Sequence, residues 1–467
     1  MKRALCSVIR CGECSANGEA GEQPPRTGFM NRRGSLARWA RRLIKIAAVV
    51  MLLLALYLLV GFARSDIVVG PTGVHRYWVV LLAPVGGVQV NIFSGTGDAV
   101  AVRGFLDGPM VQRTGTDGWS ARWFCEDRVG ASEGRGDTLA IDCAGKTHRF
   151  PLAPVATASP IAPMPERLIA LSDLEGNARF LDAALRQTGV VDADGRWAFG
   201  RGHLVVLGDS VDRGREVFRV LWTLYRLAGE ASAAGGAVHV VIGNHEQYVL
   251  KGSFSRAHED HRYALRRMGG PRGSFAADTV IGEWLRRQPV MLKLGDTLFV
   301  HGGVSPQVAA QGLDIATLND TARRYWTRRS TDAATDAVFG WSGLTQYRGY
   351  LSARPDYPIA TQRDVDAMLA RYGARRIVVG HTKVPAVTAH FAGRVWAINV
   401  NDDDARPEVL LIERGVPRAL DIGVRRGIDP PGAGTVRDLR WSDPADRHLV
   451  AEVFRNAWTM ERIPHPY

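Results

Sequence analysis

Five short polar segments of the 467-residue chain carry side chains that could bind metal ions. Each segment contains carboxylate, amide or imidazole groups, and this mixture of oxygen and nitrogen donors suits Mn, Fe or Zn better than oxygens alone would. One such segment would mean little, because a lone histidine or GDxxD after a strand usually serves a turn or a helix cap. All five in this order are specific: Asp173-Leu174-Glu175-Gly176-Asn177, Gly208-Asp209-Ser210-Val211-Asp212-Arg213-Gly214, Gly243-Asn244-His245-Glu246, His301-Gly302-Gly303 and Gly380-His381-Thr382.

An apolar run that is typical of a β-strand precedes each polar segment. In open α/β sheets the loops beyond the strand ends converge on one crevice, so residues far apart in the sequence can share a site. Residues 178–189 and 216–229 have helical periodicity. The alternation predicts a layered α/β fold with helices flanking the sheets. The runs are RLIAL before Asp173, HLVVL before Gly208, AVHVVI before Gly243, TLFV before His301 and RIVV before Gly380.

The stretch from about Arg167 to Val400 resembles the calcineurin-like metallophosphoesterases. Within them it is similar to the PPP-type serine/threonine phosphatases and their bacterial Shewanella-like and dinucleoside-tetraphosphatase relatives. The resemblance rests on the five segments, on GNHEQYVL, on IGEWLRRQPVMLKLGDTLFVHGGVSP and on QYRGY at 346–350. It implies a metallophosphoesterase sandwich and a metal-dependent phosphatase that hydrolyses phosphomonoesters, either phosphoproteins or small phosphorylated metabolites.

The resemblance also implies two divalent metal ions. Two ions about 3.5–4 Å apart neutralise phosphoryl oxygens and supply a hydroxide at neutral pH. We expect Mn, with Fe, Zn or Mg as alternatives. The implied ligands are Asp173 and Glu175 on the first ion, Asp209 between the two ions, and Asn244, His301 and His381 on the second ion.

Four further residues have catalytic roles by the same resemblance. His245 is expected to protonate the leaving alkoxide as a general acid, and Asp212 to orient its imidazole. Arg213 and Arg348 are expected to clamp the phosphate, because a guanidinium matches two phosphoryl oxygens. Asp212 and Arg213 could instead form a surface ion pair.

Glu175 departs from the family, whose first motif is normally Asp-x-His. A glutamate supplies a hard anionic oxygen instead of a nitrogen, which favours Mn²⁺ or Mg²⁺ over iron. An alternative is a degenerate phosphatase that binds phosphate or an envelope ligand without hydrolysis. A third hypothesis keeps the enzyme but changes the bond to a phosphodiester or a nucleoside polyphosphate.

An uncharged run at 46–63 is just long enough to cross a membrane as a helix. Six Lys or Arg residues at 32–45 precede it, so the positive-inside rule places the N-terminus in the cytoplasm and the catalytic domain outside, in the periplasm or extracellular space. A cleaved signal peptide is the rival hypothesis, because Gly61 and Ala63 would suit a processing site. Met30 could be the true initiator.

The net charge of +12 does not predict nucleic-acid binding, because residues 1–45 with ten Lys or Arg and three Glu carry +7 of it. Cys125 and Cys143, the only cysteines after the anchor, are a candidate disulfide in an oxidising compartment, with two free thiols as the alternative. No pattern predicts the oligomeric state.

The composition predicts several segments around the phosphoesterase domain. Short β-branched and aromatic runs broken by glycine turns predict a small all-β domain, and a Pro- and Ala-rich stretch predicts a linker. His258 and His261 are expected on a solvated polar helix. The predicted segments are a basic N-terminus at 1–45, an anchor at 46–63, the β domain at 67–151, the linker at 152–165, the phosphoesterase domain at 166–415 and a tail at 416–467 with a helix at 443–458.

Overall fold

The structure is a computed structural model that describes residues 32–63, 65–69, 76–79, 105–126, 128–402, 404–424 and 435–456. The chain divides into two units, Met1–Ala63 and Arg64–Tyr467. Helix α1 (Arg32–Ala63) belongs to the first unit and includes the predicted apolar run. Its segment Arg38–Gly61, of 24 residues, is long and apolar enough to cross a membrane, and none of it is buried.

The second unit contains all the described strands and the remaining helices. The strands are β1 (Asp66–Val69), β2 (Arg76–Val79), β3 (Leu106–Thr114), β4 (Gly118–Cys125), β5 (Arg128–Arg135), β6 (Thr138–Cys143), β7 (Lys146–Pro151), β8 (Ile161–Ala162), β9 (Arg167–Leu171), β10 (His203–Val206), β11 (Ala237–Val240), β12 (Met291–Leu294), β13 (Thr297–Val300), β14 (Arg376–Lys383), β15 (Thr388–His390), β16 (Val395–Asn399), β17 (Glu408–Glu413), β18 (Val416–Asp421) and β19 (Thr435–Asp438). The helices are α2 (Ala178–Gln187), α3 (Val217–Ala233), α4 (Asn244–Leu250), α5 (Glu259–Arg267), α6 (Pro271–Ser274), α7 (Val280–Arg287), α8 (Pro306–Ala310), α9 (Ile315–Thr327), α10 (Ala333–Phe339), α11 (Gln362–Arg371) and α12 (Pro444–Asn456).

Two mixed sheets form the centre of this unit. The first has the strand order β11-β10-β9-β17-β18, with β9, β10 and β11 parallel and β17 antiparallel to both of its neighbours, β9 and β18. The second has the order β15-β16-β14-β13-β12-β8, with β13, β14 and β16 parallel. Buried residues of both sheets belong to one hydrophobic core. The predicted layered α/β architecture is confirmed.

The parallel strands have apolar side chains on both faces, as strands that are covered on both sides require. In β9, residues Leu168 to Leu171 are all 2% exposed or less. Asn177 directly precedes α2, and its side chain accepts a hydrogen bond from the backbone N of Phe180 at 3.0 Å. Asn177 is therefore a helix cap, the local role that asparagine often has after a strand.

The β-rich region forms three small sheets. Strands β3, β4 and β5 form a meander, and β6 pairs with β7. Strand β1 pairs with β2 and with β19, which comes from the C-terminal tail. Strand β3 packs against α3 and α7. Cys125 and Cys143 form a disulfide with Cα atoms 5.8 Å apart, so that pairing is confirmed.

The predicted domain boundaries fall within paired or packed segments. The predicted linker contains β8, which pairs with β12, and it buries Leu152 and Val155 in the core. The β17–β18 hairpin crosses the predicted boundary at 415. The division of residues 67–467 into separate domains stays a prediction, whereas the C-terminal helix is confirmed as α12.

The prediction that His261 is solvated is wrong. The side chain is 1% exposed, and its Nδ1 lies 2.6 Å from the carboxylate of Asp107, which is also 1% exposed. Helix α5 presents this face to β4, and the partner carboxylate comes from β3, 154 residues earlier in the chain. His258 is half-buried, and its Nδ1 accepts a hydrogen bond from the backbone N of Asp260 at 3.2 Å.

Candidate metal centre and active site

The five polar segments meet where β9, β10, β11 and β13 end and within the last residues of β14. Hydrogen bonds connect these loops both within one sheet and between the two sheets, as expected where strand ends form a crevice. The segments are therefore one site. The connecting bonds run from His301 Nδ1 to Leu207 O (2.6 Å), from His381 N to Asp173 Oδ2 (3.0 Å), from Glu175 N to Asp209 O (2.7 Å) and from His245 N to Asp209 Oδ1 (2.9 Å).

Left-handed backbone conformations are concentrated at these loops. Eleven described residues other than glycine have a positive φ, and six of them are predicted site residues. Such a conformation costs about 1–3 kcal/mol and persists where the surrounding contacts hold it, often at functional sites. The six are Asp173 (φ 52°), Glu175 (47°), Asp209 (51°), Asp212 (68°), Arg213 (52°) and His381 (60°).

Two glycines allow the loops to approach this closely. Gly208 has φ +74°, and a Cβ there would lie 2.6 Å from the backbone N of Gly243 and 2.8 Å from His301 Nδ1. A Cβ at Gly380 would overlap the hydroxyl of Ser172. Any side chain at either position would push the segments apart, since contacts under 3.0 Å require atoms to move.

One group of donor atoms surrounds His301 Nε2. That nitrogen lies 3.1 Å from Asp209 Oδ2, 3.1 Å from the amide oxygen of Asn244 and 3.1 Å from His381 Nδ1. All four side chains are 5% exposed or less. Ligand atoms that lie about 2.0–2.2 Å from one ion at near-right angles are about 3 Å from each other, so these spacings fit a coordination shell.

The tautomers of the two imidazoles support the same assignment. His301 Nδ1 donates to the carbonyl of Leu207, and His381 Nε2 donates to the carbonyl of Gln346 at 3.1 Å. When both rings are neutral, the nitrogens that face each other therefore present lone pairs, next to a carboxylate. Because buried lone pairs repel without a positive partner, the chemistry of this donor set fits a divalent cation.

The charge of Asp209 shapes the pKa values around it. Burial alone would raise the pKa of this carboxyl, but His301 and His245 hold it well below its usual range. Burial alone would lower the pKa of His301, but Asp209 raises it to about 9. Burial and His301 hold the pKa of His381 well below its usual range, so this imidazole keeps its lone pair.

Glu175 belongs to a second group of potential ligands, with Asp209 and His245. Its Oε1 pairs with Arg213 Nη1 at 2.6 Å, and its Oε2 accepts a hydrogen bond from the amide of Asn401. Burial raises the pKa of Glu175 to about 7, although Arg213 opposes this shift. The carboxylate is thus held in place by two donors at the edge of the centre.

Asp173 belongs to neither group of three, although it is 2% exposed and lies against the same residues. Its Oδ2 accepts hydrogen bonds from the backbone N of His381 and from the hydroxyl of Ser172. Burial raises the pKa of Asp173, and the nearby His301 opposes that shift. Its other oxygen remains available as a ligand atom.

His245 and Asp212 form a buried pair beside these groups. His245 Nδ1 lies 2.9 Å from Asp212 Oδ2, and both side chains are about 1% exposed. The other ring nitrogen, Nε2, lies 3.8 Å from Asp209 Oδ2 and 3.4 Å from Arg213 Nη2. Burial opposes protonation of His245, but Asp209 and Asp212 raise its pKa overall. The ring nitrogen Nε2 therefore faces the candidate metal ligands.

Two arginines border the site. Arg213 is 43% exposed and spans Glu175 and His245. Arg348 donates through Nη1 to the carbonyl of His381 at 2.8 Å, and its Nε has no hydrogen-bond partner among the described residues. Burial lowers the pKa of Arg348. The structure brings all ten predicted site residues together.

Two residues in this arrangement have no role in the sequence-based prediction. Glu246 is fully buried and accepts hydrogen bonds from the backbone N atoms of Asp209 (2.8 Å), Ser210 (2.7 Å) and Gly243 (2.9 Å). The sequence feature that could have identified Glu246 is its capping-box position, the third residue of α4. Asn401 follows β16, and the rule that polar residues after strands reach the crevice would have identified it.

Residues 166–385 match the calcineurin-like phosphoesterase family. The chain carries a calcineurin-like phosphoesterase domain. Members of this family use divalent metals, and both candidate metal-binding groups described above lie within the matched segment.

Named relatives support the assignment. The chain is 25% identical over 232 residues to Shewanella-like protein phosphatase 1 of Plasmodium berghei, covering 47% of this chain and 62% of the relative. It is 31% identical over 117 residues to a symmetrical bis(5'-nucleosyl)-tetraphosphatase of Vibrio cholerae, covering 25% of this chain and 37% of the relative. Both matches span less than two thirds of the relative.

A solved structure matches over a longer stretch. The crystal structure of a cold-active protein tyrosine phosphatase from a psychrophilic Shewanella species has a TM-score of 0.62 and 29% identity. The match covers 72% of this chain and all of that one. The calcineurin-like phosphoesterase domain therefore has a phosphatase fold.

Replacing Gly208 by alanine should weaken the metal centre. The added Cβ would meet Gly243 and His301, so we expect metal affinity to fall about 10–100-fold. Elemental analysis of the purified protein after dialysis against limiting Mn²⁺ measures this loss. Gly235→Ala is the matched control, because Gly235 has φ +75° but its Cβ would meet nothing closer than 3.8 Å. Equal metal retention in both variants would contradict the close-packing argument.

Proposed function

We propose that the chain is a membrane-anchored phosphatase that hydrolyses phosphomonoesters with two divalent metal ions. The observation that carries this proposal is the convergence of buried lone pairs from Asp209, His301 and His381, beside an imidazole that is oriented for proton donation. A phosphoester hydrolase needs both features, because negative charge develops on the phosphoryl group and on the leaving oxygen.

We propose the ligand set of the family for the two ions, with Mn as the metal. When bound, the ions would neutralise phosphoryl oxygens and activate the attacking water. Asp209 would lie between the ions, since it belongs to both candidate groups. Asp173 and Glu175 would bind the first ion, and Asn244, His301 and His381 the second. The hard oxygen of Glu175 supports Mn²⁺ over iron.

His245 is proposed as the general acid. Its Nδ1 is held by Asp212, so the proton that is available for transfer is on Nε2, the nitrogen that faces Asp209 and Arg213. Asp212 fixes the ring orientation and stabilises its positive charge before transfer, as a carboxylate behind an imidazole does. The proton then passes from Nε2 to the leaving oxygen.

Arg213 and Arg348 are proposed to bind the phosphoryl oxygens. The partly exposed guanidinium of Arg213 can bind an incoming anion while Glu175 fixes one of its nitrogens. Arg348 retains a donor, Nε, that no described residue satisfies. Each can place a charge-assisted bond on an anionic oxygen. Phosphoproteins are the proposed substrates, supported by the names of the protein phosphatase relative and of the tyrosine phosphatase structure.

Metal-dependent turnover distinguishes the proposed enzyme from a degenerate phosphatase that only binds its ligand. The contacts of Glu175 with Arg213 and Asn401 are the observation that supports the degenerate phosphatase. The full chain in detergent should release phosphate from p-nitrophenyl phosphate most rapidly with Mn²⁺, compared with Fe, Zn and Mg. Asp209→Asn should lower kcat by at least about 100-fold. If the wild type contains stoichiometric metal but turns over substrate no faster than Asp209→Asn, the proposed enzymatic function is wrong.

The general-acid prediction uses leaving groups. His245→Gln should lower kcat by about 10²–10⁴-fold for an alkyl phosphate, whose leaving oxygen needs a proton. The loss for p-nitrophenyl phosphate should be much smaller, because nitrophenolate leaves without one. Steady-state kinetics on both substrates test this. Equal losses would exclude His245 as the proton donor.

The membrane proposal follows from α1, whose described apolar side chains are exposed, an arrangement that water disfavours and lipid permits. We propose an uncleaved single-pass anchor in the cytoplasmic membrane with the catalytic domain outside. The disulfide of Cys125 and Cys143 suits an oxidising compartment.

External trypsin should therefore digest the catalytic domain in intact spheroplasts of an expressing bacterium. Intact-protein mass spectrometry should find residues 46–63 still attached, which distinguishes an anchor from a cleaved signal peptide. A cytoplasmic protein in the same spheroplasts serves as the control for lysis. Protection of the domain until lysis would reverse the proposed orientation.

A further inference from the structure

A cavity separate from the metal centre lies between the β-rich region and helix α3. Its volume is about 580 Å³, within the range of ligand-binding pockets. Strand β3, the β6–β7 hairpin and one face of α3 form its walls. Its base is aromatic, from the buried side chains of Phe105, Phe150 and Trp222. The function proposed above uses none of these residues.

The rim of this cavity is strongly basic. Lys146 and Arg149 on β7 are exposed, and Arg219 and Arg226 on α3 face them, against a single lining carboxylate, Glu216. Arg219 pairs with Glu216 at 2.7 Å, and Arg226 pairs with Glu230 at 2.5 Å. Among the described residues, Lys146 and Arg149 form no ion pair. Two cations on the rim are therefore left for an external anion.

The positive field in the cavity also affects a titratable lining residue. The pKa of His148 is lowered first by burial and then by the charges of Lys146 and Arg219. Burial would disfavour any charge, but the positive charges of Lys146 and Arg219 that disfavour a further proton also attract an anion.

The cavity has the length of a short extended peptide. Its α3 wall runs from Glu216 to Arg226, which is about 15 Å at 1.5 Å per helical residue. An extended chain advances about 3.3 Å per residue, so about five residues would span that wall. An aromatic base with charged groups at the rim is a common arrangement in peptide-binding grooves.

One end of the cavity adjoins the catalytic loop. Glu216 follows Arg213 by three residues, and its backbone N donates to Gly176 O at 3.2 Å. Gly214 N donates to the carbonyl of Glu175 at 2.7 Å. The helix that forms the wall is thus bonded directly to the segment that carries the proposed first-metal ligand. A peptide in the cavity would lie next to the metal centre.

We propose that this cavity binds an acidic segment of the phosphoprotein substrate, next to the phosphorylated residue. The proposal rests on the phosphatase function proposed above and narrows its substrates to proteins with a stretch of Asp or Glu near the phosphorylated side chain. The added β-rich region then has a function, because β7 supplies the two cations that lack a partner.

The test uses a fluorescein-labelled hexaglutamate peptide without phosphate and the full chain in zwitterionic detergent. Anisotropy should show binding to the wild type, and the Kd should rise at least about tenfold in Lys146→Glu/Arg149→Glu. Arg135→Glu/Arg418→Glu is the matched control, because it reverses two exposed cations outside the cavity and should bind like the wild type. No binding to the wild type, or equal binding by all three proteins, would overturn the proposal.

Kinetics on the same proteins give a second readout. KM for a phosphopeptide with an acidic stretch should rise about tenfold in the cavity variant with kcat unchanged, while turnover of p-nitrophenyl phosphate stays equal in all three. Absence of p-nitrophenyl phosphate turnover in the wild type would refute the phosphatase instead, and peptide binding is measured without it. Calorimetry with citrate tests a different occupant. If the wild type binds citrate but not hexaglutamate, and the cavity variant does not bind citrate, the cavity is a small-anion site and the peptide proposal is wrong.

Discussion

The buried carboxylate of Asp209 is the group on which the rest of the centre depends. One oxygen faces His301 Nε2 at 3.1 Å, and the other accepts a hydrogen bond from the backbone N of His245 at 2.9 Å. A buried charge without partners costs several kcal/mol, so a carboxylate at this depth is tolerated only where surrounding groups are positive or donate. The loops from both sheets supply those groups.

Glu246 holds in place the loop that carries Asp209. Its carboxylate binds three backbone N–H groups, of Asp209, Ser210 and Gly243, and so ties the loop after β10 to the start of α4. Burial, together with the nearby charge of Asp209, raises the pKa of Glu246 to about 7. The donated hydrogen bonds favour the charged form and offset part of this cost. Left-handed backbone at Asp209 and Asp212 can persist because these bonds fix the start of the loop, and the hydrogen bond from Gly214 N to Glu175 O fixes its end.

The sequence predicts this centre well because its ligands follow strands, and the loops after the strands of an α/β sheet converge on one crevice. Period and composition locate β9, β10, β11, β13 and β14, and the cysteine pair is identified by count alone. The contacts of His261 could not be predicted, because its partner Asp107 lies 154 residues away on a strand with no polar motif. The hydrogen bond from Asn401 to Glu175, across 226 positions, likewise depends on how the two sheets meet. Patterns in sequence fix local elements, whereas such pairings depend on tertiary packing.

The residues around Glu175 are compatible with a glutamate at the position where the family normally has a histidine. An ionised carboxylate has about four lone-pair positions, and Arg213 and Asn401 occupy one on each oxygen. Positions therefore remain for a metal ion, whereas an imidazole has one lone pair and could not bind an ion and accept from Arg213 together. Because the same carboxylate would contact both the first ion and the arginine proposed to hold phosphate, the position of Arg213 depends on the centre being assembled. Glutamate at this position would thus connect metal binding to substrate binding through a single side chain.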